Sequence, residues 1–131
     1  MPRIPYRGIA DAQMPGAVPA ERYDLRCIKS TYIESNKKGN PMVTLECEVL
    51  GQPTADTVYH YITFPKGEDA KKDNRIAAST KRICELFSVD FDGEGFDSDD
   101  FQGKEAHNVL LTVEEGDKPG RLNNKIDLRS T

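Results

Sequence analysis

Residues 22–35 read R-Y-D-L-R-C-I-K-S-T-Y-I-E-S, and the period of this stretch breaks once. Tyr23, Leu25 and Cys27 alternate in one phase, and Ile28, Ser30 and Tyr32 alternate in the other. Alternation marks a strand with one buried face. A one-residue phase slip marks a β-bulge, where an extra residue bends the strand. A long bent strand can turn a corner and pair on both sides, which is how a small sheet closes into a barrel.

The chain around this strand supplies the rest of such a sheet. N-K-K-G-N-P, residues 36–41, is a turn by composition. P-M-V-T-L-E-C-E-V-L, residues 41–50, is the clearest strand, with Val43, Leu45, Cys47 and Val49 inward and Thr44, Glu46 and Glu48 outward. After a second turn at residues 51–56, T-V-Y-H-Y-I-T-F at 57–64 puts Val58, His60, Ile62 and Phe64 on one face and Tyr59, Tyr61 and Thr63 on the other. The period then changes. Ile76, Thr80, Ile83 and Phe87 follow helical spacing, widened by Ala77, Cys84 and Leu86. This predicts a helix from about Lys72 to Ser88 with Asp73 as a candidate cap. A further strand follows at Asn108–Glu114 with Val109, Leu111 and Val113 inward, then a turn at 115–120. A last strand carries Leu122, Ile126 and Leu128. Residues 1–20, with Pro2, Pro5, Pro15 and Pro19, show neither period and read as an irregular arm.

The order strand, strand, strand, helix, strand, strand predicts an all-β domain with one helix at residues 21–131. It is that of the five-stranded Greek-key barrel called the OB-fold, with the helix between strands 3 and 4. An SH3-like barrel lacks this helix, and a ferredoxin-like fold needs an earlier one. An open α+β sheet shares the element order and stays open as the alternative. At 131 residues the chain suits one domain with one core. No apolar run reaches membrane-spanning length. The start, M-P-R-I-P-Y-R-G, has no secretory apolar stretch, so a host-cell cytoplasmic location is expected.

The outward tyrosines raise the question of function. If the hairpins are centred near Lys38–Gly39 and in the 51–56 loop, the outer face becomes a row Lys29–Glu48–Tyr59 beside a row Thr31–Glu46–Tyr61. The parity of these rows is firmer than the partners, because a one-residue slip would expose the apolar set. In an OB-fold this face carries oligonucleotides, and exposed rings there can stack on bases. Lys29, with Lys37 and Lys38 in the first hairpin and Lys118 and Arg121 in the last, would meet phosphates and make binding salt-dependent. Arg3, Tyr6 and Arg7 of the arm could add contacts or mediate self-association. Against this reading, half-exposed tyrosines are common on sheets and could pack against the arm, and Glu46 and Glu48 would repel phosphate.

The net charge of −4 argues against a generic basic binder, but residues 90–100, D-F-D-G-E-G-F-D-S-D-D, hold six acidic residues and no basic one. The remainder is slightly basic. This loop does not complete a calcium site, because the twelfth position from Asp90 is Phe101 rather than a glutamate. It reads as a solvated loop whose Phe91, Phe96 and Phe101 tuck into the core, or as an acidic-aromatic segment that docks a protein. Cys27, Cys47 and Cys84 read as structural. A zinc site would need a further ligand from His60 or His107. His60 falls on the core face and His107 begins a strand. No phosphate loop or nucleophile motif is present. The sequence therefore predicts a non-enzymatic protein without cofactor or metal.

Five segments, in order and spacing, resemble a family of small phage- and prophage-encoded proteins grouped with single-stranded DNA-binding proteins. V-P-A-E-R-Y-D-L at 18–25 is similar to that family's Pro-x-Gly-x-Tyr approach to the first strand. K-K-G-N-P-M-V-T-L-E-C-E-V at 37–49 resembles its hairpin and second strand, and R-I-A-A-S-T-K-R-I-C-E-L-F at 75–87 its helix. F-Q-G-K-E at 101–105 resembles its Leu-x-Gly-Lys-Glu lead-in to the fourth strand, and R-L-N-N-K-I at 121–126 its Asn-x-Ile close. Glu21 stands where the family usually has glycine, and the acidic loop is longer and more charged. The resemblance implies an OB-like barrel and a role in phage DNA replication or recombination. Its implied partners are single-stranded DNA and phage replication or recombination proteins, with homo-oligomers as a possibility. Two alternatives differ in class. One is a protein-interaction module on the same fold, recruiting such a partner through the acidic loop. The other is a nuclease or enzyme accessory, which would need carboxylates clustered in a pocket.

Overall fold

The computed structural model describes residues 2–5, 7, 16–35, 37, 39–116 and 122–128. Five antiparallel strands form one strongly curled sheet, a half-barrel, in the order β3-β2-β1-β4-β5. They are β1 (Arg22–Ile33), β2 (Met42–Val49), β3 (Val58–Thr63), β4 (Glu105–Glu115) and β5 (Leu122–Ile126). One helix, α1 (Ala70–Leu86), lies between β3 and β4 in the chain, followed by a single 3-10 turn at Ser98–Phe101. The outer strands β3 and β5 approach each other within 8 Å between Cα atoms. No helix among the described residues is long and apolar enough to cross a membrane.

β1 is the hinge of this curl. It pairs with β2 along most of its length and with β4 over Arg22–Arg26. The phase slip of the sequence is a bulge between Cys27 and Lys29, where Ile28 is left without a partner on β2. A second irregularity lies between Tyr23 and Leu25, opposite β4. There Asn108 adopts a left-handed backbone (φ 56°), and its N–H donates to the Asp24 carboxylate at 2.9 Å. That hydrogen bond, with His107 beside it, holds the Asp24 carboxyl below the usual range against the opposing effect of burial. The extra residue is on β1 at the first point and on β4 at the second, where His107 and Asn108 oppose Asp24, and each adds to the local twist and bend.

The core is the inner face of the sheet covered by α1. Leu25, Leu45, Ile62, Ile83, Phe87, Phe101 and Leu111 are fully buried. The helix begins two residues earlier than the spacing predicts. Asp69, not Asp73, is its cap and accepts from the Lys71 and Lys72 N–H groups. Asp73 instead accepts from Lys66 N and Gly67 N, bracing the approach to the helix. β1 also ends earlier than expected, at Ile33, and β4 begins earlier, at Glu105. Val113, expected inward, and Leu122 are exposed, because the β4–β5 ladder runs past the end of the core. Phe91, expected to tuck in, is 44% exposed, whereas Phe101 is wholly buried and Phe96 partly so. The three cysteines are free and buried. Cys27 and Cys47 face each other across β1 and β2. The shared hydrogen bond with Cys27 and burial push the Cys47 thiol up, and burial pushes Cys84 up to about 11.

Residues 16–20 belong to the packed structure. Gly16 bridges to Ala55 ahead of β3, and Val18 exchanges two hydrogen bonds with the Asn124 side chain on β5, at 2.8 and 2.9 Å. This segment therefore spans the seam between the two edge strands, and Val18 is buried there.

Candidate nucleic-acid interface

The outer face of β1, β2 and β3 is built by the ladder. Three cross-strand rows run over it: Lys29–Glu46–Tyr59, Thr31–Thr44–Tyr61 and Ile33–Met42–Thr63. The sequence places the tyrosines on the correct face but with the wrong partners. Glu46 lies opposite Tyr59 and Thr44 opposite Tyr61, two residues from the expected pairing. The cause is in the 51–56 loop, which packs two consecutive tight turns: Gln52 N–H donates to Val49 O, and Ala55 N–H to Gln52 O. Gly51 takes the positive φ (78°) that the first turn requires. The hairpin is thus centred one residue earlier, which moves every partner by two and preserves parity.

The first hairpin is likewise centred one residue earlier than expected, and this second shift changes the electrostatics. Glu48 is not opposite Lys29; it pairs with Arg26, whose guanidinium also reaches Glu105, both at 3.3 Å. Lys29 lies opposite Glu46 instead. Each carboxylate of the face thus has a cation as its cross-strand neighbour. These exposed contacts contribute little to stability, but they reduce the negative charge that a polyanion would meet. Tyr59 and Tyr61 are 47% and 54% exposed, and residues 16–18 run to Ala55 and Asn124 rather than over them.

Beside Tyr61 the face continues into a groove of about 600 Å³ between β3, β5 and α1. Arg75 of α1 and Lys125 of β5 line it with Tyr61, His60 and Thr112. Sequence reasoning missed both cations, since their place beside β3 depends on how the helix and last strand pack. His60 sits behind the tyrosines, half-buried. Burial, with Lys125 nearby, lowers its pKa to about 4, so the imidazole is neutral near pH 7.

Of the cations expected to meet phosphates, Lys29 and Lys37 are exposed. Lys38, Lys118 and Arg121 lie outside the described residues, as does Tyr6 of the arm. Among the described residues no three His, Cys, Asp or Glu side chains converge as metal ligands would. Comparison of the sequence with protein-family models and with curated proteins gives no match.

Proposed function

We infer that this is a non-enzymatic single-stranded DNA-binding protein with a five-stranded Greek-key OB-fold barrel, acting in phage DNA replication or recombination. The sheet order and the approach of β3 to β5 support the barrel. The observation that carries the function is the pair of solvent-exposed rings, Tyr59 and Tyr61, two residues apart on one strand of the outer face. Same-face neighbours on a strand stand roughly 7 Å apart, a spacing that successive unstacked bases can match. Stacking on ring faces is sequence-tolerant, so binding is non-specific. Lys29 shares a cross-strand row with Tyr59, and the exposed Lys37 of the first hairpin, with Lys38, Lys118 and Arg121, would add further phosphate contacts. Arg75 and Lys125 add cations in the β3–β5 groove, which Glu114 and Asp127 also line.

The test is fluorescence anisotropy with a labelled thymine oligomer and with a duplex of the same length, each at two salt concentrations. The expected result is preference for the single strand and weakening as salt rises. Failure to bind the oligomer at low salt would reject this function and leave the protein-interaction reading of the fold.

A further inference from the structure

At the mouth of the sheet lies a second aromatic surface that the proposed DNA contact does not use. Tyr32 at the end of β1, Phe64 after β3, and Phe91 and Phe96 of the acidic loop line an open cleft of about 760 Å³. Its floor is braced by the core. Phe64 stacks parallel to Phe96 with centroids 6.4 Å apart, and Tyr32 meets Phe64 edge-on at 6.2 Å. Phe96 in turn meets the buried Phe101 edge-on at 5.8 Å. Asp90, Asp92, Glu94, Asp97 and Asp100 form the rim. Among the described residues none of these carboxylates pairs with a cation. Asp92 and Asp97 each use one oxygen to accept from loop N–H groups, which fixes the shape of the rim.

Such a rim repels phosphate. Ring faces beside carboxylates suit a segment that mixes guanidinium and apolar side chains. The chain itself carries one. Residues 2–7, P-R-I-P-Y-R, hold two arginines, an isoleucine and a tyrosine, and no acid. Arg3, Ile4 and Arg7 are exposed, Ile4 by 78%. The prolines at 2 and 5 oppose a helix and favour an extended form, the shape an open cleft accepts. None of the described arm residues lines the cleft of its own molecule.

We propose that residues 2–7 of one molecule dock in the acidic-aromatic cleft of a second copy. Arm and cleft are different surfaces, so the contact is heterologous. Each molecule then offers one of each, and association propagates head to tail. Neither surface includes Tyr59 or Tyr61, so the association is independent of DNA and is tested without it.

Sedimentation velocity of the full chain over a wide concentration range, without nucleic acid, reads the contact directly. Wild type should form species larger than a dimer, and these should weaken at high salt. An arm variant, Arg3→Glu with Arg7→Glu, and a cleft variant, Asp90→Lys with Glu94→Lys, should each lower the association constant about tenfold or more. The cleft substitutions are at exposed side chains, and circular dichroism verifies that both variants are folded. Mixing the two variants supplies one intact arm and one intact cleft, and should yield a complex that stops at two molecules. A wild type that stays monomeric would overturn the proposal, whether its arm folds back in cis or its cleft takes a basic segment of another protein. So would association that survives either variant, or variants that fail to combine when mixed.

Discussion

The outer sheet face and the cleft at the mouth both present aromatic rings to solvent, yet the first is surrounded by charges of both signs and the second by carboxylates alone. Tyr59 and Tyr61 stand opposite Glu46 and Thr44, with Lys29 across from Glu46, and the adjoining groove holds Arg75 and Lys125 together with Glu114 and Asp127. Phe91 and Phe96 stand within a ring of carboxylates. A ring face attracts a nucleobase, a guanidinium or an aliphatic chain with little discrimination. The neighbouring charges therefore select the occupant. A polyanion is compatible with the first surface and repelled from the second. The supports differ as well. The tyrosines stand half-exposed on β3, whereas the cleft rings lean on one another down to the core. Changes at the tyrosines should register in binding, and changes deep in the cleft should register in stability.

The largest effect tests the first half of that contrast. With stacking at roughly 1–3 kcal/mol per base, Tyr59→Ala combined with Tyr61→Ala should weaken binding of a thymine oligomer by about 30-fold or more. The melting temperature should barely change, because both side chains are half exposed. Anisotropy and a thermal melt on the same preparation measure the two. Asp90→Lys with Glu94→Lys should leave oligomer binding intact or tighten it. Weaker binding there would break the comparison, since the cleft would then belong to the DNA path.

The second half is sharpened by two phenylalanines of the same loop. Phe101 is wholly buried and meets both Phe87 and Phe96 edge-on, so Phe101→Ala should cost about 3–5 kcal/mol in urea denaturation. Phe91, at the lip, should cost under about 0.5 kcal/mol when changed to alanine. Equal costs would mean that the lip ring is packed after all.

His60 makes stability depend on pH, since it lies half-buried on the core side of β3, behind the tyrosines. Its folded pKa, about 4, is below the ordinary 6.5. The unfolded chain therefore takes up the proton first. Stability is complete above about pH 6.5 and falls as pH drops toward 4, by up to about 3 kcal/mol. His60→Gln should flatten that limb of a denaturation series at successive pH values. A limb that persists would assign the loss to other groups, Asp24 among them. Its folded pKa is depressed, so its contribution is also lost on acidification, as pH falls through that depressed value.

Much of this architecture is written in local pattern. The bulge at Ile28 shows as a phase slip, and the outward side of Tyr59 and Tyr61 follows from a period of two. What fails is anything that depends on counting through a turn. Gly51 and Pro53 both suit the 51–56 loop, and composition does not say which residues stand at its centre. Tyr59 therefore reads as the partner of Glu48 and is found opposite Glu46. Asp69 and Asp73 both suit a helix start, and the choice is made by the loop N–H groups that occupy Asp73. Arg75, Lys125 and the cleft were beyond local reasoning for a different reason. Each brings together residues far apart in the chain, and no periodicity records such a meeting.

The smallest predicted effect concerns the route from helix to cleft. α1 ends in a Schellman arrangement: Val89 N–H donates to Cys84 O at 2.8 Å and Ser88 N–H to Glu85 O at 3.3 Å. The motif requires a left-handed residue after the cap, a position usually held by glycine. Here it is Ser88, with φ 56°. A side chain there carries a steric cost of roughly 1–2 kcal/mol, and glycine returns part of the gain as unfolded-state entropy. Ser88→Gly should therefore stabilise the domain by about 0.5–1 kcal/mol, read as a raised urea midpoint with unchanged slope. Ser88 is exposed, so the substitution removes no buried contact. Oligomer binding should be unaffected, because the tyrosine face does not depend on how the chain leaves the helix. A destabilised Ser88→Gly would mean that the left-handed turn is held by the serine itself, and that the loop carrying the cleft rings is anchored at this residue rather than through Phe96 and Phe101.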